Sequence, residues 1–306
     1  MAELPLVSCL CASSPKRWAQ LQRAILDFTR QTYPNKELII GVDLRTDFAG
    51  MIELFVEDAL ASVPPTRVHD GERIIRDLPY RIKVFGRPNS NSPMDCLIQA
   101  LCHARGDIVA LWDDDNLNLP SRLTDQVVRQ QRHQDTLTAL SECLYYFHES
   151  KELFVVNHEN PEAEVSERIA ISSLMSPRDA LPALEPHYRT NPALHLVNGL
   201  QARNRKLLGI TGKPFHHLVG VSGDNLRGYS DHRKIAQGHS RSADWINERA
   251  DALVEALNQY YWDADKVNVV GADALAFEYT PKLRHSKDLY EIAIKDAEAE
   301  EVVRED

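Results

Sequence analysis

The chain predicts an α/β fold, a mostly parallel sheet flanked by helices. Short apolar runs alternate, over the first 135 residues, with segments whose apolar residues recur every three or four positions. Pro-, Asn- or Gly-bearing breakers separate the two kinds of segment. Two of the apolar runs end directly on a carboxylate, Asp43 and Asp113. Parallel neighbours need crossover connections, which helices supply. Ligands of such sheets bind beyond the carboxyl ends of the strands, where both aspartates sit.

The elements follow in order. Leu6–Cys11 is an apolar run suited to a buried strand, and Trp18, Leu21, Ile25 and Phe28 then recur at helical spacing after Pro15. Tyr33-Pro34-Asn35 breaks that helix before a second strand, Glu37–Val42. Met51–Ala61 reads as a helix stopped by Pro64-Pro65, and Arg81–Phe85 as a third strand. Ser92-Pro93-Met94-Asp95 is a helix start, with a capping hydroxyl, a proline at the first helical position and a first-turn carboxylate. Gly106 ends this helix, and Asp107–Trp112 is the fourth strand. Beyond it, Leu144–Phe147 and Leu153–Val156 form a hairpin joined by His148–Lys151, and Arg168–Met175 reads as a strand. Residues 176–240 show no clear period. Ala243–Tyr260 has helical spacing, and an acidic helical tail starts near Ser286. The predicted organisation is one domain over 1–240, with halves 1–135 and 136–240, and a helical extension over 241–306.

Bulk properties narrow the function classes. At 43% hydrophobic residues the chain can bury a sizeable core, and no apolar run reaches membrane-spanning length. Met1–Pro5 lacks the basic and apolar regions of a signal peptide, so the expected location is the cytoplasm. Five cysteines, an odd count, read as reduced thiols. A net charge of −10 disfavours a phosphate backbone as partner, although Arg203, Arg205, Lys206, Lys213, Arg227, Arg233 and Lys234 form a local basic spread.

Ile108 to Asn116 carries the chemistry. An apolar strand delivers Asp113, Asp114 and Asp115 to its exit. Adjacent carboxylates repel unless a cation or solvent relieves them. Mg²⁺ and Mn²⁺ favour oxygen ligands and are shared between one or two carboxylates and substrate phosphates. The plainer reading is a solvated acidic turn that caps the next helix.

Leu6–Arg17, the run from Ala24 through Gln31-Thr32-Tyr33-Pro34-Asn35 to Ile40, Val42-Asp43, Gly106–Val109, Asp113–Asn116, Pro120 and Leu123 resemble, in order and spacing, the family 2 glycosyltransferases of GT-A fold. The resemblance covers roughly residues 5–130. It implies a Rossmann-like GT-A sheet, an irregular acceptor-side region and C-terminal helices. It also implies a sugar moved from a nucleoside diphosphate, UDP above all, to a hydroxyl with Mn²⁺ or Mg²⁺. By this resemblance Asp43 contacts the nucleobase, Asp115 holds the metal, and Asp113 holds the ribose or the metal's outer shell. Asp114 joins the donor site with Ala12, Ser13 and Arg17, which lie in or just beyond the exit loop of the first strand.

The chain also departs from the family. The Arg-Asn pair common before the D-x-D strand is replaced by Met94-Asp95-Cys96, and Leu194–Leu200 has no carboxylate where the acceptor-side base is expected. Asp224, in the Gly-rich Val219–Asn225 loop, is the leading candidate base, ahead of Asp179 and Asp231. Among His216, His217, His232 and His239, His217 and His239 lead as metal ligands. The acceptor stays open between a saccharide, a lipid-linked sugar, a protein and a hydroxylated nucleobase of the kind that phage DNA glucosyltransferases modify. A non-catalytic nucleotide-sugar binder is a second class. A nucleotidyltransferase is a third, disfavoured because Cys11–Arg17 has no glycine to cradle phosphates.

Overall fold

The computed structural model describes residues 4–43, 47–60, 66–70, 73–78, 81–87, 92–132, 136–158, 170–180, 206–210, 215–222, 229–260, 262 and 264–282. In chain order the N-terminal half begins with β1 (Val7–Ala12), α1 (Trp18–Thr29), β2 (Lys36–Asp43), α2 (Phe48–Leu60), β3 (Thr66–Asp70), β4 (Arg73–Leu78), β5 (Ile82–Arg87) and α3 (Pro93–His103). It ends with β6 (Ile108–Leu111), β7 (Leu117–Asn118) and α4 (Arg122–Arg132). Then come β8 (Thr136–Leu140), β9 (Glu142–Phe147), β10 (Glu152–Asn157), β11 (Ala170–Pro177), β12 (Lys206–Ile210) and β13 (His217–Val221). The last elements are α5 (Tyr229–His239), α6 (Ala243–Asn247), α7 (Ala250–Leu257), β14 (Val267–Val270) and β15 (Leu275–Tyr279).

Nine strands form one sheet in the order β12-β8-β11-β6-β1-β2-β5-β4-β3. Its centre, β6-β1-β2-β5, is parallel throughout, with Val7 level with both Lys36 and Ile108, and Leu38 level with Ile82. The strands of this centre are apolar on both faces because both are covered. Cys9, Cys11, Leu38 and Ile40 meet Leu21, Ile25 and Phe28 of α1 and Ile52 and Val56 of α2. Leu10, Ile39 and Val109 turn to the other face and meet Leu97 and Ala100 of α3. Ser92 caps α3, accepting from the Asp95 amide at 3.1 Å. Gly41 lets α3 approach: a Cβ there would stand 2.0 Å from the Cys96 carbonyl oxygen.

Mostly parallel is right for the centre, while the margins turn antiparallel. β11 runs against both β6 and β8, and β4 against both β5 and β3, while β12 at the far margin runs parallel to β8. A second, six-stranded sheet, β15-β14-β10-β9-β13-β7, was not foreseen. The expected hairpin is there as β9–β10, with Phe147 opposite Glu152. Leu144, Tyr146, Leu153 and Val155 pack on Ile246, Leu253 and Leu257, whereas Tyr145, Phe147 and Val156 face Ala236 of α5. The single helix expected over Ala243–Tyr260 is two, α6 and α7, and the stretch after them supplies β14 and β15. The expected acidic tail lies outside the described residues. All five cysteines are free thiols. No helix among the described residues is long and apolar enough to cross a membrane.

Candidate donor and metal site

Parallel packing of β1, β2, β5 and β6 brings Ala12, Asp43, Arg87 and Leu111 to one edge of the sheet. The acidic run leaves that edge from a fixed seat. The Trp112 amide donates to the Leu10 carbonyl at 2.9 Å and its indole N–H to the Ala24 carbonyl at 2.9 Å. Phe28 meets the Trp112 ring edge-on, and the Arg122 guanidinium lies 5.1 Å from the ring centroid.

The three carboxylates then diverge. Asp114 is buried, and its Oδ2 accepts the Ser13 hydroxyl at 2.6 Å. Arg17 Nε stands 2.8 Å from Asp114 Oδ1, close enough for an ion pair but not aligned as a hydrogen bond, and Arg17 Nη2 contacts Asp115. Asp113 and Asp115 keep part of their surface open to solvent. Asp113 accepts from the Asn116 amide side chain at 3.3 Å. Burial, with the charges of Asp115 and Asp114, pushes the Asp113 carboxyl up to about 7. Burial pushes Asp114 up to about 7 as well, against the pull of Arg17. Burial alone would lower the Arg17 guanidinium, but Asp115 and Asp114 outweigh it and hold it charged. One guanidinium thus faces three carboxylates, an imbalance that a further cation would relieve.

The donor set fits a hard divalent ion shared with a substrate. Asp113 and Asp115 offer oxygen at a partly open rim, and among the described residues no three His, Cys, Asp or Glu side chains form a ready-made cage. Mg²⁺ and Mn²⁺ commonly complete their shells with phosphate and water.

The histidine expectation is corrected. His217 is fully buried on β13, with Nδ1 2.8 Å from Asn118 Oδ1 and Nε2 2.8 Å from the Ser172 hydroxyl. Burial, reinforced by Arg122, holds its pKa well below the usual range. The imidazole is neutral, so Nδ1–H donates to Asn118 and Nε2 accepts from Ser172, which leaves no lone pair for a metal. His239, at the end of α5, stacks on His158 with centroids 6.4 Å apart and belongs to no metal-holding group among the described residues.

The candidate bases divide differently. Asp224 lies outside the described residues. Asp179 is exposed beyond β11, where Pro177 is level with Ile108, so it stands at the opposite edge of the sheet from Asp113. Asp231 is exposed on α5 and pairs with Lys234 at 3.9 Å. Neither joins the acidic cluster. Asp43 ends β2 level with Arg87, and the direction of its side chain lies outside the described structure. Of the basic spread, Arg203, Arg205, Lys213 and Arg227 lie outside the described residues, and Arg233 is committed to Glu152.

His148 escapes a reading of the sequence, because it stands in a polar hairpin connector. Its amide donates to the Val221 carbonyl at 3.0 Å. A Cβ on Gly220 would lie 2.4 Å from the Asp115 carbonyl oxygen and 3.1 Å from His148 Nε2. The histidine and the acidic turn therefore flank the same glycine of β13. Only a long-range pairing, Val221 level with Phe147, brings them together.

No protein-family model matches the chain, and no curated protein does. Solved structures do. S. aureus TarS 1–349 in complex with UDP is similar at 12% identity and TM-score 0.50, over 83% of this chain and 79% of that one. The mannosyltransferase PcManGT from Pyrobaculum calidifontis, in complex with GDP-Man and Mn²⁺, aligns at 13% identity and TM-score 0.49, over 84% of this chain and 64% of that one. The architecture of this chain, a mixed α/β sheet system flanked by helices, is shared with the TarS 1–349 structure.

Proposed function

We propose that this protein is a metal-dependent glycosyltransferase that moves a sugar from a nucleoside diphosphate, UDP above all, to a hydroxyl acceptor. One observation carries the reading: three carboxylates with a single guanidinium, held at the carboxyl edge of a parallel sheet beside the β1 exit loop. The TarS fold and the UDP bound to TarS support it.

In this reading the donor binds across residues 1–135 and the acceptor enters from the side of residues 136–240. A divalent ion, when bound, neutralises charge on the departing diphosphate and so lowers the barrier to breaking the sugar–phosphate bond. Asp115 holds that ion, with Asp113 on it or on the ribose. Asp114 stays with Ser13 and Arg17 and keeps the turn rigid. Arg17 stays on Asp114 and turns the Nη2 that contacts Asp115 toward the diphosphate oxygens. Asp43 marks the nucleobase end and Ala12 the floor of the β1 exit. Asp224 remains the proposed base for the acceptor hydroxyl.

A thermal-shift panel with UDP, with and without Mn²⁺, tests the reading. Stabilisation appears only with both present and is lost in Asp115→Ala. At one hundred times Kd the stabilisation is about 2.7 kcal/mol. Equal stabilisation with and without Mn²⁺ sinks the metal role. Metal-dependent hydrolysis of a UDP-sugar in the absence of acceptor separates an enzyme from a mere binder.

A further inference from the structure

The other edge of the large sheet carries a recess with the opposite charge. Lys83 near the start of β5, Arg105 just before β6, Arg178 just after β11, and Cys102 and His103 at the end of α3 line a cavity of about 270 Å³, with Phe85 as an apolar wall. Phe85 and His103 stack face to face, centroids 3.7 Å apart and planes within 5°, which fixes the imidazole at the rim. Among the described residues no carboxylate lines the recess. The Lys83 ammonium is held 2.5 Å from Glu37, a buried carboxylate that also accepts the Ser8 hydroxyl and the Arg105 amide. Among the described residues, neither Arg105 nor Arg178 has an acidic side chain in ion-pair contact, on a chain that carries ten more acidic than basic residues. Two guanidiniums beside this hollow, with the Lys83 ammonium, set up a local positive potential on an otherwise acidic chain, which attracts an anion. The recess is separate from the acidic turn, which lies beyond the other end of β6. The four residues of that strand alone span ~13 Å at 3.3 Å each.

We propose that this recess is a binding site for a small phosphorylated metabolite, independent of the donor site. Phosphate is the group that paired guanidiniums grip best, through charge-assisted and bidentate hydrogen bonds. The size favours a small occupant. The volume lies just below the ~300–1,000 Å³ range of drug-sized ligand sites, which suits a phosphoryl group with a short carbon skeleton better than a nucleotide-sugar. The net acidity of the chain works against a nucleic acid in the same place.

Cys102 is a built-in reporter, since it lines the recess and the other four cysteines are buried. The full chain is labelled with N-ethylmaleimide in EDTA, which silences any metal-dependent donor binding. Inorganic pyrophosphate is titrated at ionic strength held constant with chloride. At ten times its Kd pyrophosphate slows labelling about tenfold, because about a tenth of sites stay empty. Cys102→Ser removes the signal. Arg105→Gln with Arg178→Gln, both at exposed positions, removes the protection while thermal stability is retained, and Asp115→Asn leaves the protection intact. Protection that survives the double arginine change, or that disappears in Asp115→Asn, overturns the proposal. So does protection by a short oligonucleotide at lower concentration than by pyrophosphate. A failure here leaves the Mn²⁺ and UDP test untouched, since the two read different edges of the sheet.

Discussion

Asp27 illustrates how single residues are set by the requirements of the site. It is buried on α1, where its Oδ2 accepts the Asn118 amide at 2.8 Å, at the step from the acidic turn into β7. Burial pushes its carboxyl up to about 7, against the pull of Arg30 and the Asn118 hydrogen bond. A carboxyl raised on folding binds its proton more tightly in the native state. Its contribution to stability is full below the unfolded value near 3.8 and is lost as pH rises to about 7. Asp27→Asn keeps an acceptor for the amide and removes the titration. In denaturant melts across pH 4–7 the variant should lose less stability than the parent, by on the order of a few kcal/mol. An unchanged slope would mean that Asp113 and Asp114 alone carry the dependence.

At the scale of elements, β13 matters through what it lacks. Gly220 lies against the backbone of Asp115, and backbone cannot swing aside as a side chain can. Gly220→Ala should push β13 and the acidic turn apart and cost roughly 1–3 kcal/mol. The stabilisation by UDP with Mn²⁺ should also weaken, as measured by thermal shift. A variant with reduced stability but unchanged Mn²⁺-dependent UDP stabilisation would separate β13 packing from the site.

Which elements could be read from the sequence follows the range of their interactions. β1, β2, β5 and β6 are buried on both faces, so their apolar runs announce themselves, and α3 carries its own cap. The hairpin β3–β4 was passed over although Asp70-Gly71 is a hairpin signal. β13 has five residues and becomes a strand only by pairing with β9 and β7, partners far away in sequence. The site divides the same way. Asp113–Asp115 are contiguous and legible, Ser13 and Arg17 were placed beside them by resemblance, and His148 arrives only through the second sheet. His217 misled because sequence cannot distinguish a histidine that stitches two layers together from one that faces a ligand.

At the scale of the whole molecule the two sheets are tied by a buried polar cluster. Arg122, 1% exposed, donates to Asn118 Oδ1 at 2.6 Å, Gln126 Oε1 at 3.0 Å and the Leu111 carbonyl at 3.0 Å. Gln126 donates onward to the Ser173 carbonyl at 2.8 Å, while Asn118 and Ser172 hold His217. β6, β7, β11, β13 and α4 thus meet around one guanidinium. Burial lowers its pKa to about 10, which leaves it charged at neutral pH. Arg122→Leu keeps bulk but takes the donor from three interior acceptors, of which Asn118 Oδ1 keeps His217. It should destabilise the fold by roughly 2–5 kcal/mol, read by chemical denaturation, far more than an exposed arginine change. A loss under about 1 kcal/mol would show that solvent reaches the cluster.

Arg17 carries a consequence for biogenesis. Because a guanidinium already sits among the carboxylates, the turn has charge relief of its own, and on the proposed metal role an ion would be acquired by exchange rather than by capture into a vacant hole. On the proposed metal role, a cell short of the ion would still accumulate intact, idle protein, switched on when the ion and a nucleoside diphosphate sugar arrive together.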